Sequence, residues 1–369
     1  MNSICEAQRL GQSIWLDYVR RGPIRSGEFQ RFIDQGISGV TSNPTIFEKA
    51  INESTDYDEA LIGLARMGKT INEIYESLVL EDISAVADLF YPVYEKTGGA
   101  QGYVSLEVNP ALAYDTDETV REAGRLFALL GRPNVLIKVP ATAEGIPAIR
   151  RLISEGINVN ATLIFSLGRY QKVREAYVEG LEALTHDGGD LGKVASVASF
   201  FVSRVDTAVD ALLEEKVKKG NGDLKALLGK AAVANARLGY EAFKETFRSE
   251  RFAALQRAGA RLQYPVWAST GTKNPVYSDV LYVETLIGQD TVNTIPPATL
   301  DAFLQHGRIS ATIEQDIPQA RQTMTLLEKA GINMEAVTDR LLAEGVDAFK
   351  ASFDKLLSGV ETKLQKLFV

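Results

Sequence analysis

Eight short apolar runs alternate with longer stretches of helical periodicity, and this alternation constrains the fold more than any other feature of the chain. The pattern is typical of parallel strands joined by crossover helices. Eight such pairs predict an α/β fold, a closed (β/α)8 TIM barrel with helices around the strands. The predicted strands are residues 13–18, 38–42, 103–108, 134–139, 158–165, 194–201, 263–269 and 291–295.

Between these runs, the apolar spacing predicts helices, several of them opened by a plausible Ser or Thr cap. The candidates include residues 26–35, 116–130, 143–155, 166–184 and 275–287.

Three stretches are longer than a minimal barrel requires. Residues 55–96 predict two helices split near Met67-Gly68, and residues 204–259 predict at least two split by Lys219-Gly220-Asn221-Gly222. Residues 309–369 read as helical to the end. Because no Pro-, Gly- or Ser-rich linker separates two halves, we predict one barrel domain over residues 1–369 with two helical insertions and a helical tail. We expect the tail to pack against the barrel; a lid over it or a contact in a homo-oligomer are the alternatives.

Composition narrows the classes of partner. The chain has 369 residues, 45% of them hydrophobic and 24% charged, as in a folded globular protein. Its net charge of -8 argues against nucleic acid or an anionic membrane as the main partner, so any anionic ligand must be held by local cations. No apolar run approaches the roughly 18 residues of a membrane-spanning helix.

Cysteine and histidine usage bears on compartment and metals. The single Cys5 cannot form an intrachain disulfide, and the first ten residues carry charges where a secretory signal needs an apolar core, so we expect a cytoplasmic protein. The only histidines, His186 and His306, have no His-x-x-x-His spacing and no cysteine cluster nearby. We therefore expect no dedicated metal site.

One predicted strand carries a lysine in its middle. Lys138 interrupts the apolar run 134–139, which lies between the helix-breaking Gly131-Arg132-Pro133 and Pro140. Burial disfavours a charged ammonium and favours the neutral amine, which can attack a carbonyl carbon and form a Schiff base. Snorkelling to the sheet edge, or neutralisation by a structural carboxylate, is an equally good interpretation of this strand alone.

The other predicted strands also end in polar residues. In a TIM barrel the C-terminal ends of the strands form the active-site face, so these side chains should converge with Lys138 at one mouth. They supply two carboxylates, two amides, several hydroxyls and an arginine. The residues are Asp17, Asn43, Glu107, Asn160, Thr162, Ser199, Arg204 and the segment 269–273.

This set of side chains fits class I aldol chemistry. An imine on Lys138 draws electrons from an adjacent carbon–carbon bond, a carboxylate moves the hydroxyl proton, and amides and hydroxyls hold the polyol. Each carboxylate also has a structural interpretation: Asp17 could cap a helix or pair with Arg20 or Arg21, and Glu107 could lie in solvent at a strand end.

Two segments resemble the transaldolase family. They are residues 39–47, Gly-Val-Thr-Ser-Asn-Pro-Thr-Ile-Phe, and residues 135–166, which join the lysine strand to the Asn-x-Thr strand at the family's spacing. With the Asp17 run, Ser105-Leu106-Glu107-Val108 and the segment 199–204, the resemblance covers roughly residues 14–303.

The resemblance implies a role for each matching residue. Lys138 would be the Schiff-base nucleophile and Asp17 the general acid/base at the cleaved bond, while Glu107 and Thr162 would position a water. The implied substrate-binding residues hold sugar hydroxyls, shape the pocket or bind phosphate; they are Asn43, Asn160, Ser199, Phe201, Arg204 and Ser269.

The implied reaction belongs to the pentose phosphate pathway and needs no added cofactor. It moves a dihydroxyacetone unit from sedoheptulose 7-phosphate or fructose 6-phosphate to glyceraldehyde 3-phosphate or erythrose 4-phosphate. Two other functions stay open: an aldolase of the same superfamily that releases dihydroxyacetone, and a sugar-phosphate-binding barrel without catalysis. Such aldolases are typically much shorter than this chain.

The sequence departs from the family pattern at two places. Phe200 and Ser203 stand where relatives carry Pro and Gly, which predicts a changed pocket shape. Gly271 stands where an arginine usually supplies a second phosphate ligand, and the nearest cation is Lys273. Arg204 has a structural alternative as well, since it could pair with Asp206 or Glu214 along a helix.

Overall fold

A computed structural model describes residues 2–368 of the chain. Eight parallel strands follow one another around a closed barrel, and the last strand pairs with the first. This confirms the predicted (β/α)8 TIM barrel. The strands are β1 (Gln12–Asp17), β2 (Gly39–Thr41), β3 (Tyr103–Glu107), β4 (Val135–Pro140), β5 (Val159–Ile164), β6 (Ser196–Phe201), β7 (Tyr264–Ala268) and β8 (Thr291–Ile295).

Helices surround the strands. They are α1 (Ser3–Arg9), α2 (Arg21–Arg25), α3 (Glu28–Asp34), α4 (Pro44–Asn52), α5 (Asp58–Arg66), α6 (Ile71–Lys96), α7 (Thr116–Leu130), α8 (Gly145–Ser154), α9 (Leu167–His186), α10 (Ser203–Lys218), α11 (Ala231–Phe247), α12 (Glu250–Arg257), α13 (Leu281–Glu284), α14 (Pro297–His306), α15 (Ile317–Lys329) and α16 (Met334–Leu367). Short 3-10 turns occur at Pro110–Leu112, Leu191–Lys193 and Gly222–Leu227. None of the helices within residues 2–368 is both long and apolar enough to cross a membrane.

Local sequence explains where many of these helices begin. Ser, Thr, Asn or Asp side chains accept a hydrogen bond from a backbone N–H of the first turn, which satisfies one of its free donors. At α6 the cap is reciprocal, because Thr70 caps the helix while Glu73 accepts from the Thr70 backbone N–H. The other caps of this kind at longer helices are Asn43, Asp115, Ser166, Ser249 and Asn333.

The barrel interior is apolar at one end and polar at the other. Trp15, Tyr103, Val197 and other apolar side chains form a buried cluster at the N-terminal end. A Cβ at Gly39 would lie 2.5 Å from the Trp15 ring, so only glycine leaves room for this indole. With that end filled, the polar residues of the same strands meet at the opposite mouth.

Buried hydrogen bonds join the insertion that contains α5 and α6 to Arg21, in the segment that follows β1. The buried Arg21 donates through Nε to Asp82 (2.8 Å), and Asp82 also accepts from the Tyr57 hydroxyl (2.8 Å). Removing one partner of a buried ion pair costs about 3–5 kcal/mol. Helices α5 and α6 therefore hold the chain close to the end of β1, where Asp17 lies.

Two predicted helical regions differ from the structure. Of residues 275–287, only Leu281–Glu284 forms a helix, because side chains hold the preceding loop: Thr272 donates to the Ser278 carbonyl and Tyr277 donates to Asp210. In the tail, residues 309–316 are not helical, and helix begins only at Ile317. The final residue of the predicted tail lies outside the described residues.

Helix α16 packs along α4 and crosses the barrel mouth. Thr45 and Ser352 share a hydrogen bond (2.9 Å), and Lys355 pairs with the buried Glu48 (2.8 Å). Its apolar face includes Val346, Phe349 and Phe353. The tail thus packs against the barrel, and Phe349 and Phe353 line cavities at its mouth.

Candidate active site

Lys138 points into the barrel from the middle of β4. Its side chain is 5% exposed, and its Nζ donates to the Ser42 carbonyl (2.9 Å). The β3–β4 register places Glu107 beside it, with Nζ and Oε2 3.4 Å apart. Lys138 therefore does not snorkel to the sheet edge. A carboxylate does neutralise it, as the second alternative interpretation proposed, but this carboxylate is Glu107, which lies at the C-terminal end of β3.

Glu107 is buried with its charge incompletely satisfied. Neither carboxylate oxygen has a hydrogen-bond partner among the described residues, and the Thr162 hydroxyl also lacks one. Burial raises the pKa of the Glu107 carboxyl, and the Lys138 charge opposes this shift. These atoms can bind a water or a substrate hydroxyl, and Glu107 is not the solvent-exposed carboxylate of the structural interpretation.

Asp17 lies on the other side of the mouth, at the end of β1. Its Oδ1 accepts from the Thr41 hydroxyl (2.7 Å), which is itself 2.6 Å from the Thr294 hydroxyl. Burial raises the pKa of the Asp17 carboxyl, while Lys138, the Thr41 hydrogen bond and Lys273 oppose the shift.

The two neighbouring arginines have other partners, so Asp17 is free of the predicted structural pairing. Arg20 pairs with Asp56 and Arg21 with Asp82.

A hydrogen-bonded row fixes the amide on β5. Ser199 donates to Asn160 Oδ1 (2.8 Å), and Asn160 Nδ2 donates to the Ser105 hydroxyl (3.1 Å). Nearby, the Phe201 ring packs against Phe165 with centroids 5.0 Å apart. The polar atoms of this wall are therefore preorganised before a ligand arrives.

Asn43 also caps a helix, a role that the sequence did not reveal. Its Oδ1 accepts from the Ile46 N–H (3.0 Å) and caps α4. The side chain still lines the cavity at the mouth, so the turn interpretation and the site interpretation both apply.

Arg204 supplies an unpaired guanidinium at the start of α10. Within residues 2–368 it makes no ion pair. Asp206, one of its predicted partners, instead accepts from the Ala232 N–H and the Tyr282 hydroxyl. Burial lowers the pKa of Arg204, and the group lies 5.8 Å over the Phe201 ring. A half-buried guanidinium without a carboxylate is suited to an anionic ligand.

The loop after β7 is held by side chains of α10. Ser269 adopts a left-handed φ of 55°, and its hydroxyl lies 3.1 Å from that of Ser203. Tyr277 and Tyr282 donate to Asp210 and Asp206 at 2.7 and 2.8 Å. Lys273 is exposed at the tip of this loop.

One departure from the family pattern does not change the pocket as predicted. The Phe200 ring is fully buried outside the barrel, between Tyr170 and Trp267, and does not line the cavity. Ser203 supports Ser269 through its hydroxyl.

A cavity of about 320 Å³ unites these residues at the C-terminal end of the strands. Of the predicted site residues, Glu107 and Asn160 lie behind its wall, and the others line it: Asp17, Asn43, Lys138, Thr162, Ser199, Phe201, Arg204, Ser269 and Lys273. Glu107 instead borders a second cavity of about 160 Å³, which Tyr75 and Phe353 also line.

Eight lining residues were not predicted from the sequence, and four of them bear on the chemistry of the site. Thr41 and Thr294 orient Asp17, Lys49 adds a third cation from α4, and Phe349 comes from α16. The threonines follow the inward alternation of their strands, which could have identified them. Phe349 carried no distinct signal, since it belongs to an ordinary apolar helix face.

The arrangement can form and hold an imine. An enclosed amine, two carboxylates and a row of hydroxyls meet at the mouth of a TIM barrel. These features define a barrel enzyme of the aldol type. The sequence profile of the Transaldolase/Fructose-6-phosphate aldolase family matches residues 14–360, and the chain belongs to this family.

Curated relatives are similar over nearly their whole length. A transaldolase of Trichodesmium erythraeum (strain IMS101) is 47% identical, covering 99% of this chain and 98% of the relative. A transaldolase of Thiobacillus denitrificans (strain ATCC 25259 / T1) is also 47% identical, covering 98% of this chain and 100% of the relative. Transaldolase 2 of Streptomyces avermitilis is 48% identical, covering 97% and 96%.

Proposed function

We propose that this chain is a transaldolase. It transfers a dihydroxyacetone unit from sedoheptulose 7-phosphate or fructose 6-phosphate to glyceraldehyde 3-phosphate or erythrose 4-phosphate, in the pentose phosphate pathway. The observation that carries the proposal is the enclosed Lys138 amine, 3.4 Å from Glu107 and in the same cavity as Asp17.

The first step joins the ketose to the enzyme. The Lys138 amine attacks the ketone carbon, and loss of water from the adduct leaves an imine. Glu107 and the Thr162 hydroxyl hold this water and exchange its protons, a role suited to their unpartnered oxygens. The same groups return the water when the product imine is hydrolysed.

The second step breaks and remakes a carbon–carbon bond. Asp17 accepts the proton of the hydroxyl next to the bond that breaks, and the imine takes up the released electron pair. An aldose phosphate leaves, another enters, and Asp17 returns the proton as the new bond forms. The Thr41 hydrogen bond keeps the carboxylate oriented through both directions.

The remaining residues hold the sugar. Asn43 and Ser199 bind its hydroxyls, and Phe201 shapes the pocket. Asn160, which the sequence placed among these ligands, lies behind the wall and orients Ser199 through its Oδ1. Arg204 and Ser269 bind the phosphate. Lys273 supplies a second positive charge to the phosphate, in place of the family's second arginine.

Borohydride trapping tests this mechanism directly. Reduction in the presence of fructose 6-phosphate should add the three-carbon unit to Lys138, located by peptide mass spectrometry. Lys138→Met should abolish both the adduct and the transfer. Lys273→Met, which alters another lysine of the same cavity, should keep the adduct. Labelling at a different lysine, or turnover without any adduct, would refute the imine mechanism.

Product analysis separates the alternatives. A transaldolase forms sedoheptulose 7-phosphate from fructose 6-phosphate and erythrose 4-phosphate, whereas an aldolase releases dihydroxyacetone without an acceptor. A non-catalytic barrel binds these sugars and forms neither product. The intact set of Asp17, Glu107, Lys138 and Thr162 favours catalysis.

We also propose that the whole chain acts as one domain and works in the cytoplasm, where its charged substrates are retained. All the proposed site residues come from a single chain, and a homo-oligomer is compatible with this arrangement.

A further inference from the structure

Helix α16 places an aromatic ring over the reactive amine. The Phe349 ring centroid lies 6.0 Å from Lys138 Nζ, and the side chain lines the same cavity. Phe349 is only 5% exposed, although it belongs to a helix outside the barrel. One turn later, Phe353 lines the cavity behind Glu107 instead and packs edge-to-face on Tyr75 at 5.2 Å.

The position of this ring is built into the fold. A Cβ at Gly345 would lie 3.0 Å from the Leu163 side chain, so glycine lets α16 approach the end of β5 closely. Leu163 itself adopts a left-handed φ of 56°, at an irregularity in the β5–β6 pairing. Together with the Thr45–Ser352 and Lys355–Glu48 contacts, this close approach fixes the height of Phe349 above the mouth.

In the transfer reaction, the intermediate on Lys138 must be protected from solvent until the acceptor arrives. After cleavage, the three-carbon unit remains on Lys138 as an enamine, which has two fates. Attack on the aldehyde of an aldose phosphate completes transfer. Alternatively, its nucleophilic carbon takes a proton from solvent, water adds to the resulting imine carbon, and the carbon–nitrogen bond breaks to release dihydroxyacetone and the free amine.

We infer that Phe349 is a specificity-determining residue that favours transfer over release. The inference rests on the proposed transaldolase function. A ring without polar atoms over the imine keeps solvent from the enamine during the interval between departure of one aldose and arrival of the next. The proposed sites for the water of the imine steps are instead polar atoms without a hydrogen-bond partner, the Glu107 oxygens and the Thr162 hydroxyl.

The test compares two products from the same reaction mixture. Purified full-length enzyme receives fructose 6-phosphate and erythrose 4-phosphate, and sedoheptulose 7-phosphate reports transfer while dihydroxyacetone reports release. In Phe349→Ala the ratio of release to transfer should rise about tenfold or more, because each 1.36 kcal/mol of lost discrimination is tenfold in rate. Phe349→Leu, which keeps an apolar side chain, should show a smaller rise.

Phe353→Ala is the matched control. It removes the same ring from the same helix one turn away, so it reproduces any general loosening of α16 but opens the other cavity. Its ratio should stay at the wild-type value. An equal rise in Phe353→Ala, or an unchanged ratio in both Phe349 variants, would overturn the inference.

The failure of the two proposals can be told apart. A wild-type enzyme that forms no sedoheptulose 7-phosphate refutes the transaldolase function, whereas normal transfer with an unchanged ratio in the variants refutes only the role of Phe349. If Phe349→Ala does not fold, as judged by circular dichroism, the ratio measured in Phe349→Leu decides the question.

Discussion

Asp17 and Glu107 end two different strands of the barrel, β1 and β3, and differ in what surrounds them. Asp17 faces the large cavity and accepts a hydrogen bond from Thr41, whereas both Glu107 oxygens lack a hydrogen bond and the residue borders the smaller cavity. Burial raises the pKa of both carboxyl groups. The comparison teaches that similar carboxylates at the strand ends of one barrel acquire different surroundings, and this difference supports the different roles we propose for them.

The comparison between the two carboxylates can be tested by substitution, and we expect the largest loss of activity at Glu107. Glu107→Gln removes the group that we propose exchanges protons with water during imine formation and hydrolysis. General acid/base contributions are about 10²–10⁴-fold, and we expect a loss of this size in kcat. Rapid-quench borohydride trapping should show slow adduct formation. Adduct formation at the wild-type rate would contradict the assignment.

Asp17→Asn should lower kcat by a comparable factor of about 10²–10⁴ but at a different step. The amide oxygen can still accept from Thr41, yet it cannot take the hydroxyl proton. We therefore expect normal trapping of fructose 6-phosphate on Lys138 together with slow release of glyceraldehyde 3-phosphate. If this variant folds normally and is not trapped, Asp17 acts in imine formation and the distinction between the two carboxylates is lost.

Substitutions at the phosphate end should have smaller effects and act on binding. Charged hydrogen bonds are worth about 1.5–3 kcal/mol, so Arg204→Ala should lower kcat/KM for phosphorylated sugars by about ten- to a few hundred-fold. Lys273→Ala should cost less, since an ammonium is a point charge without the bidentate fork of arginine.

The control for both cations is unphosphorylated fructose. A phosphate ligand matters only when the phosphate is present, so neither variant should lose much activity on fructose. Equal losses of Arg204→Ala on both sugars would indicate a role in the fold or the polyol site. A larger phosphate-specific loss in Lys273→Ala would reverse the ranking.

The smallest expected effect is on stability. Because burial raises the folded-state pKa of Asp17 and Glu107, the stability associated with their protonated forms is present at low pH and is lost as pH rises through the folded pKa. Asn and Gln carry no charge at any pH, so Asp17→Asn and Glu107→Gln should avoid the free-energy cost of burying a charged carboxylate. At about pH 8 each variant should melt at a higher Tm, by about 1 °C for each kcal/mol regained in a chain of this length.

The gain should disappear at about pH 3, below the ordinary carboxyl pKa values of about 4, where the wild-type groups are protonated in both states. Calorimetry at the two pH values measures the difference. A lower Tm of Glu107→Gln at about pH 8 would mean that its attraction to Lys138 outweighs the cost of burial.

Much of this site could be predicted because barrel strands carry their chemistry at their ends. The rule brought Lys138, Asp17 and Glu107 to one mouth from residues spread over more than a hundred positions. It could not predict which cavity each carboxylate borders, because that depends on the neighbours that tertiary packing supplies.

Helical periodicity was less informative at the mouth. Phe349 repeats the apolar pattern of its helix whether it packs a core or covers a cavity, so sequence could not separate the two. For residues 275–287 the periodicity predicted too much helix. Their apolar spacing suits a helix, but hydrogen bonds from Thr272 and Tyr277 stabilise a loop.

The closure of the barrel also determines when the site comes into being during synthesis. The Gln12 side chain donates to the Thr291 hydroxyl across 279 residues, so the ring closes only after its eighth strand has left the ribosome. Helix α16 follows later still. A nascent chain therefore carries its reactive amine without the Phe349 ring until α16 has been translated and has packed on the barrel.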